Sequence, residues 1–166
     1  MNGPIKHEAS FVILEYEDIM NEDKDLSTEI LKAYGEGGVG ALGVRGVPNW
    51  VSMRNKTLPL GYKLMSLPDE KLLELEDETS MYNAGWSLGK EKMGDTPDFG
   101  KGSFYFNPIL DDPSPELRTA YPWALPANKW PADQDIPGFR DNCKELGLAM
   151  RLVAVGLAKH IDKLIA

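Results

Sequence analysis

The residue pair with the most obvious metal-binding chemistry in this sequence is His160 and Asp162. An imidazole and a carboxylate two positions apart can reach one metal ion from a β-strand, because residues i and i+2 share a face there. On a helix the same two side chains point about 200° apart. The surrounding residues predict a helix, and the other histidine, His7, lies near the N-terminus. We therefore predict no metal site in this chain, and we expect His160 and Asp162 to lie at a solvated helix end.

Nucleophilic and acid–base chemistry find little support in the residue pattern. Cys143 is the single cysteine, and it falls on the apolar stripe of a predicted helix, where cysteine is typically a small core residue. The acidic residues are numerous but scattered, so no two of them form an obvious general acid and base. A single cysteine also cannot form an internal disulfide, which favours a reducing compartment.

A G-x-G-x-x-G pattern at Gly35, Gly37 and Gly40 needs a structural context to bind a dinucleotide. That fingerprint follows a strand and opens a helix. Here the predicted helix precedes the glycines and a strand follows them, so we interpret the run as a helix stop, since glycine adopts positive φ freely.

Composition limits the remaining function classes. The net charge of −8 and the pI of about 4.8 repel phosphate backbones and anionic lipid, so nucleic acid and membranes are not expected partners. No apolar run reaches the roughly 18 residues of a membrane span, and the N-terminus lacks the pattern of a signal peptide. A length of 166 residues fits one domain, 1–166. We expect a cytoplasmic protein.

Residues 82–108 predict a hairpin. A small-residue turn at 83–87 precedes a charged, glycine-containing excursion, and the chain then enters the aromatic run 103–106. In a strand, Phe104 and Phe106 would point to one face, while Ser103 and Tyr105 point to the other. One face is therefore apolar and the other carries hydroxyl groups.

These residues resemble the N-terminal domain of the isopenicillin N synthase-like (clavaminate synthase-like) non-haem iron(II)/2-oxoglutarate-dependent oxygenases. In that family a G-[YW] turn is followed by a K-x-S-F-x-x-N-P strand, and the counterparts here are Gly85-Trp86 and 101–108. Residues 41–48 are similar to the family's strand ending in N-H-G-V-P, with Arg45 in place of the histidine.

The resemblance implies that Asn83, Ser87 and Tyr105 form part of a substrate pocket. In the full-length family, Fe(II) is held by an H-x-D pair and a distant histidine, and 2-oxoglutarate is clasped by an R-x-S motif. This sequence has no R-x-S, so we predict no cofactor in this chain. Relatives often bind a substrate carboxylate through an arginine near the position of Asn83, and its absence here argues against an amino-acid or peptide substrate.

The remaining elements follow from periodicity and from proline and glycine positions. Strands are predicted at 11–14 and 39–44, and helices at 27–34, 48–62 and 68–75. Ser27 is expected to cap its helix, Pro59 to end or kink the helix that contains it, and residues 18–24 to form an acidic turn. The proline-rich stretch 111–137 predicts an extended path, held down by Tyr121, Trp123 and Trp130.

The C-terminal residues predict a long helix with two apolar faces. One stripe repeats at steps of three and four and consists of Phe139, Cys143, Leu146, Met150, Val153, Leu157, Ile161 and Leu164. A second face carries Leu148, Leu152 and Val155. One face can pack on the rest of the chain, so the other needs a further partner, either a missing catalytic jelly-roll domain or another copy of this chain.

Together these features predict an α/β (α+β) fold, with a few-stranded sheet, several helices and a long C-terminal helix, equivalent to the N-terminal part of a jelly-roll oxygenase. The resemblance implies the non-catalytic half of an oxidoreductase that acts on a small molecule. Two alternatives remain open: a non-enzymatic interaction module that uses the long helix, and an enzyme of unrelated chemistry.

Overall fold

The structure is a computed structural model that describes residues 11–165. Within these residues the chain combines helices with three two-stranded sheets and ends in a long helix, as the sequence predicts. The strands are β1 Val12–Glu15, β2 Leu42–Arg45, β3 Gly85–Leu88, β4 Lys92–Met93, β5 Thr96–Pro97 and β6 Gly102–Tyr105. The helices are α1 Tyr16–Met20, α2 Ser27–Tyr34, α3 Trp50–Met65, α4 Asp69–Glu74, α5 Pro115–Ala120 and α6 Phe139–Ile165, with a 3₁₀ turn at Glu78–Ser80.

The described residues divide into two compact units. Residues 11–50 and 149–165 belong to the first unit, and Val51–Leu148 forms the second. That the whole chain acts as a single domain stays a prediction.

In the first unit, β1 pairs in parallel with β2, from Val12 opposite Leu42 to Glu15 opposite Arg45. Val12 and Leu14 are buried, whereas Ile13 between them is exposed. Only one face of this sheet therefore packs on the core. The strands predicted at 11–14 and 39–44 are confirmed as β1 and β2, with small shifts in their ends.

The helices at the start of the first unit differ in detail from the sequence prediction. α2 forms as predicted, but Ser27 does not cap it; instead the backbone N–H of Ser27 donates to Asp25 Oδ1 at 2.9 Å. α1 was not predicted, because its acidic residues suggested a turn. Its Ile19 is fully buried, so the burial of this side chain outweighs the weak local helix propensity.

The C-terminal half of α6 completes the core of the first unit. Val153, Leu157, Ile161 and Leu164 pack against the buried residues of β1 and α2. Gly156 lies against α1, where an added Cβ would come 2.4 Å from Met20 Cε. This part of the predicted stripe is confirmed, although Met150 of the same stripe is exposed.

The core of the second unit joins α3, α4, the β3–β6 hairpin and the start of α6. Its buried members are Leu60, Leu64, Leu72, Leu75, Trp86, Ile136, Phe139 and Cys143. Pro59 does not end α3, since the helix runs to Met65; that Pro59 kinks the helix stays a prediction. A proline inside a helix costs roughly 3 kcal/mol, and burial of Leu60 and Leu64 offsets this at about 1.5–3 kcal/mol each.

The stretch 111–137 contains one helix that was not predicted. Ser114 caps α5 by accepting the Leu117 N–H at 3.4 Å. Trp130 packs against the core, as expected. Tyr121 and Trp123 are more than half exposed, so the prediction that they hold this segment down is wrong.

None of the helices between residues 11 and 165 combines the length and the apolar character that crossing a membrane requires.

Candidate functional site

The candidate site is built on the hairpin of β3 and β6. The two strands are antiparallel, with Gly85 opposite Tyr105 and Ser87 opposite Ser103. Gly85 has φ +74°, and a Cβ at this position would come 1.9 Å from the Leu75 carbonyl oxygen. Only glycine fits this close approach, which brings the start of β3 against the end of α4.

The hairpin has the two faces that alternation predicts. Trp86 and Phe104 lie opposite each other on one face and pack into the core of the second unit. The ring of Phe104 meets Phe139 edge-on, with centroids 5.0 Å apart. Ser87 and Tyr105 are therefore on the opposite face, so the hairpin brings two of the three predicted site residues to one face.

Tyr105 is held in a polar network at this surface. Its hydroxyl donates to Glu91 Oε1 at 3.2 Å, and Lys101 Nζ donates to both oxygens of the same carboxylate. The hydrogen bond to Glu91 raises the pKa of Lys101 above its usual value. The Tyr105 side chain remains 37% exposed, so a ligand can still contact the ring and compete for the hydroxyl.

Two side chains of the charged excursion between β3 and β6, Lys90 and Glu91, make specific contacts. Lys90 pairs with Glu76 at 2.8 Å and lies 4.7 Å from the ring centroid of Tyr82. The hydrogen bond to Glu76 raises the pKa of Lys90. Lys90 and Glu91 thus tie the excursion between β3 and β6 to neighbouring elements.

The other two predicted site residues are less available. Ser87 is buried at 6% exposure. The Asn83 side-chain amide donates to the backbone carbonyl of Trp123 at 3.2 Å, and its backbone N–H donates to Ser80 Oγ at 3.1 Å. Asn83 therefore fixes the turn before β3, and Tyr105 is the most accessible hydroxyl of the three.

The turn that contains Asn83 has an unusual backbone. Met81 and Tyr82 adopt φ values of +56° and +61°, in the left-handed region that non-glycine residues rarely occupy. Two such residues in succession cost roughly 1–3 kcal/mol each. The hydrogen bond from Tyr82 N to Asp77 O, at 2.9 Å, helps to hold this conformation. The small-residue turn predicted at 83–87 is therefore placed too late in the chain, because its last three residues belong to β3 and the turn is made by residues without a glycine.

The expectation of a solvated helix end at His160 is wrong. His160 is only 4% exposed, and its Nε2–H donates to the Ile19 carbonyl at 3.0 Å. Asp162 lies on the same helix about 200° away, and it is exposed. His7 lies outside the described residues.

The residues that the structure describes do not fit an iron site. Residues 11–165 contain no group of three His, Cys, Asp or Glu side chains arranged to hold a metal ion. The one histidine among them already uses Nε2 for a backbone carbonyl. The described side chains therefore do not provide a set of ligands for iron.

The remaining chemical motifs have structural roles. Cys143 is buried in the second core, and burial raises the pKa of its thiol to about 11, which keeps it protonated and unreactive. The glycines after α2 lie between that helix and β2, in the order that the sequence predicts, and Gly37 and Gly40 have φ of +80° and +73°. They form a helix stop.

No protein family matches the sequence, and no curated protein matches it either. Among solved structures, the chain is similar to full-length thymine-7-hydroxylase of Neurospora crassa in complex with alpha-KG and thymine. The two chains are 22% identical, with a TM-score of 0.45. The match covers 93% of this chain and 50% of the other, so this chain spans about half the length of the solved protein.

Proposed function

We propose that this chain is the N-terminal, non-catalytic half of an iron(II)/2-oxoglutarate-dependent oxidoreductase that acts on a small molecule. In this proposal Asn83, Ser87 and Tyr105 supply part of the substrate pocket. Fe(II) and 2-oxoglutarate would be held by a separate catalytic jelly-roll domain, because the residues described here do not fit an iron site and the sequence has no R-x-S. This chain would bind and orient the substrate.

The observation that supports the proposal is the register of the hairpin. The two segments that resemble the oxygenase family, Gly85-Trp86 and 101–108, are separated in sequence but pair as antiparallel strands. Their apolar face is used by the chain's own core. The opposite face carries Ser87, which is buried, and Tyr105, whose side chain is exposed enough to contact a ligand.

The chemistry of this face suits a polar small molecule. The Tyr105 phenol can both donate and accept a hydrogen bond, and it now donates to Glu91. A substrate carbonyl or hydroxyl group could take the place of that carboxylate. Lys101, which shares Glu91, would then keep the carboxylate charge balanced.

The proposal is tested by joining this chain to its catalytic domain and measuring two reactions of the same enzyme. Tyr105→Phe should raise the KM for substrate by roughly five- to 150-fold, the effect of about 1–3 kcal/mol for a lost hydrogen bond. The uncoupled consumption of 2-oxoglutarate should change little. Tyr121→Phe, the same change at an exposed tyrosine outside the hairpin, is a matched control and should leave the KM unchanged. If Tyr105→Phe and Ser87→Ala both leave the KM unchanged, these residues are scaffold only.

A second candidate function, an interaction module, is supported by α6. Leu148, Leu152 and Val155 follow one another at helical spacing, and all three are more than a third exposed. Exposed apolar side chains of this kind often mark an interface. We propose that a second copy of the chain packs against residues 148–159 when no catalytic domain is present.

This alternative is tested by analytical ultracentrifugation of the chain and of Leu148→Lys/Leu152→Glu. We expect the original chain to self-associate at high micromolar concentration and the double variant to remain monomeric. A monomeric original chain, together with a destabilised double variant, would show that both leucines are already buried within one molecule.

A further inference from the structure

An apolar groove lies on the opposite side of the hairpin from Ser87 and Tyr105. Its volume is about 570 Å³, within the range of roughly 300–1,000 Å³ typical of small-molecule pockets. The buried side chains of Leu64, Leu72 and Trp86 line it, so it opens directly onto the core of the second unit. The proposed function does not use this groove.

Two glycines set the shape of the groove. A Cβ on Gly102 would come 2.3 Å from the indole of Trp86, and a Cβ on Gly89 would come 2.3 Å from the ring of Phe99. Both aromatic rings therefore lie directly against backbone. A larger residue at either position would push a ring into the groove, so its present width depends on these close contacts.

Large apolar side chains stand exposed around the groove. Phe99 is 70% exposed and Tyr62 is 78% exposed, and Met65 beside them is also more than half exposed. Aromatic and methionine side chains at such an edge give contact area that adapts to a ligand. A ligand with an aromatic or branched aliphatic body would bury these side chains together with the edge of Trp86.

The charge at the groove has one sign. Among the described residues that line it, Asp69 carries the only charge at neutral pH, and the whole chain is acidic at −8. A carboxylate or phosphate on the ligand would be repelled, whereas a protonated amine would be attracted. We propose that this groove binds a small amphipathic molecule with an apolar, preferably aromatic, body and a protonated amine that pairs with Asp69.

The test compares two probes that share an aromatic body and differ in charge, 2-(1-naphthyl)ethylamine and 1-naphthylacetate. Each is titrated into the ¹⁵N-labelled chain at low salt, and binding is followed by the Trp86 indole N–H and the Gly100 and Gly102 amide resonances. Trp86→Phe assigns the indole signal. We expect the amine to bind roughly tenfold more tightly than the carboxylate, and this preference to shrink as salt screens the pair.

Two variants separate the charge from the apolar contacts. Asp69→Asn should weaken amine binding roughly fivefold, the effect of one ion pair in water, without weakening the carboxylate probe. Glu70→Gln is the matched control, because it removes a charge from the same first turn of α4 without lining the groove. Phe99→Ala should weaken both probes. Met65→Lys, at an exposed position, should weaken the amine more than the carboxylate, because it adds a positive charge at the groove, and it provides a second check if Phe99→Ala perturbs the fold.

Four results would overturn the proposal. One is equal affinity for the two probes, and another is the absence of any shift at Trp86, Gly100 and Gly102 up to millimolar amine. The third is a dependence of the Trp86, Gly100 and Gly102 resonances on protein concentration in the absence of ligand, which would assign the groove to a second copy of the chain. Loss of amine binding in Glu70→Gln to the same extent as in Asp69→Asn would also reject the pairing with Asp69.

Discussion

Replacing Asp111 with asparagine should remove a large part of the stability of the second unit. One oxygen of Asp111 accepts from Asn128 Nδ2 at 2.8 Å and from Trp130 Nε1 at 2.7 Å. The other oxygen pairs with Arg140 and with Lys144. The variant keeps one acceptor but loses the charge, so both cations of α6 lose their partner.

The magnitude follows from the pKa of Asp111. Burial alone would raise it, but the hydrogen bonds from Asn128 and Trp130, with the charges of Lys144 and Arg140, lower it from 3.8 to about 2. At about 1.36 kcal/mol per pH unit, this shift corresponds to about 2.5 kcal/mol of unfolding free energy. The side chain is 19% exposed, so screening by solvent is limited.

The pH dependence has a definite sign. Because the folded-state pKa of Asp111 is lowered, its contribution is complete above the unfolded pKa of about 3.9 and is lost as the pH falls towards 2. About half of it should be gone near pH 3. The difference in unfolding free energy between the original chain and Asp111→Asn should therefore shrink from pH 7 to pH 3.

Urea denaturation followed by tryptophan fluorescence measures this difference, provided that the m-value is unchanged. Asp112→Asn is a matched control at the adjacent position. Asp112 pairs with Arg118 at 3.0 Å, but its side chain is 75% exposed. An ion pair this exposed contributes little to the free energy of unfolding. The reasoning is refuted if Asp111→Asn lies within about 0.5 kcal/mol of the original chain, or if the difference is the same at pH 7 and pH 3.

Three further outcomes are expected. Gly85→Ala should lower the free energy of unfolding by at least roughly 1–3 kcal/mol from the positive φ alone. Gly61→Ala in α3, with open space around it, should raise the free energy of unfolding by up to about 1 kcal/mol. Equal urea midpoints for the two variants would contradict this. Cys143 should react with a thiol reagent no faster than the second unit opens, and a rapid reaction in native buffer would show that the thiol is accessible. The chain alone should bind no iron(II) at one equivalent by anaerobic calorimetry, and a micromolar site lost in His160→Ala would disprove our account of the metal ligands.

Sequence patterns were sufficient wherever a periodic apolar pattern decides the structure. The alternation in 103–106 placed Tyr105 and Phe104 on opposite faces of a strand, and the three- and four-residue steps predicted α6. Each of these patterns depends on neighbouring residues only. The hydroxyl face of the candidate site could therefore be predicted before its partner strand was known.

Contacts between distant residues could not be predicted in this way. The burial of His160 depends on the Ile19 carbonyl, 141 positions earlier. The hydrogen bond from Tyr105 to Glu91 depends on the path of the chain between β3 and β6, which brings Glu91 close to Tyr105. The continuation of α3 through Pro59 depends on burial of the leucines that follow it. In each case a tertiary contact outweighed the local preference.

The discontinuity of the first unit has a consequence for biosynthesis. Its core combines β1 and α2 with Val153, Leu157, Ile161 and Leu164 of α6, so it cannot close until the ribosome has released the end of that helix. The second unit, Val51–Leu148, is contiguous and has all of its core residues available earlier. Domains generally fold as units during synthesis, so we expect the middle of the chain to fold first. The apolar residues of β1 and α2 remain unburied until α6 has been synthesised. A chaperone would be most useful during this period.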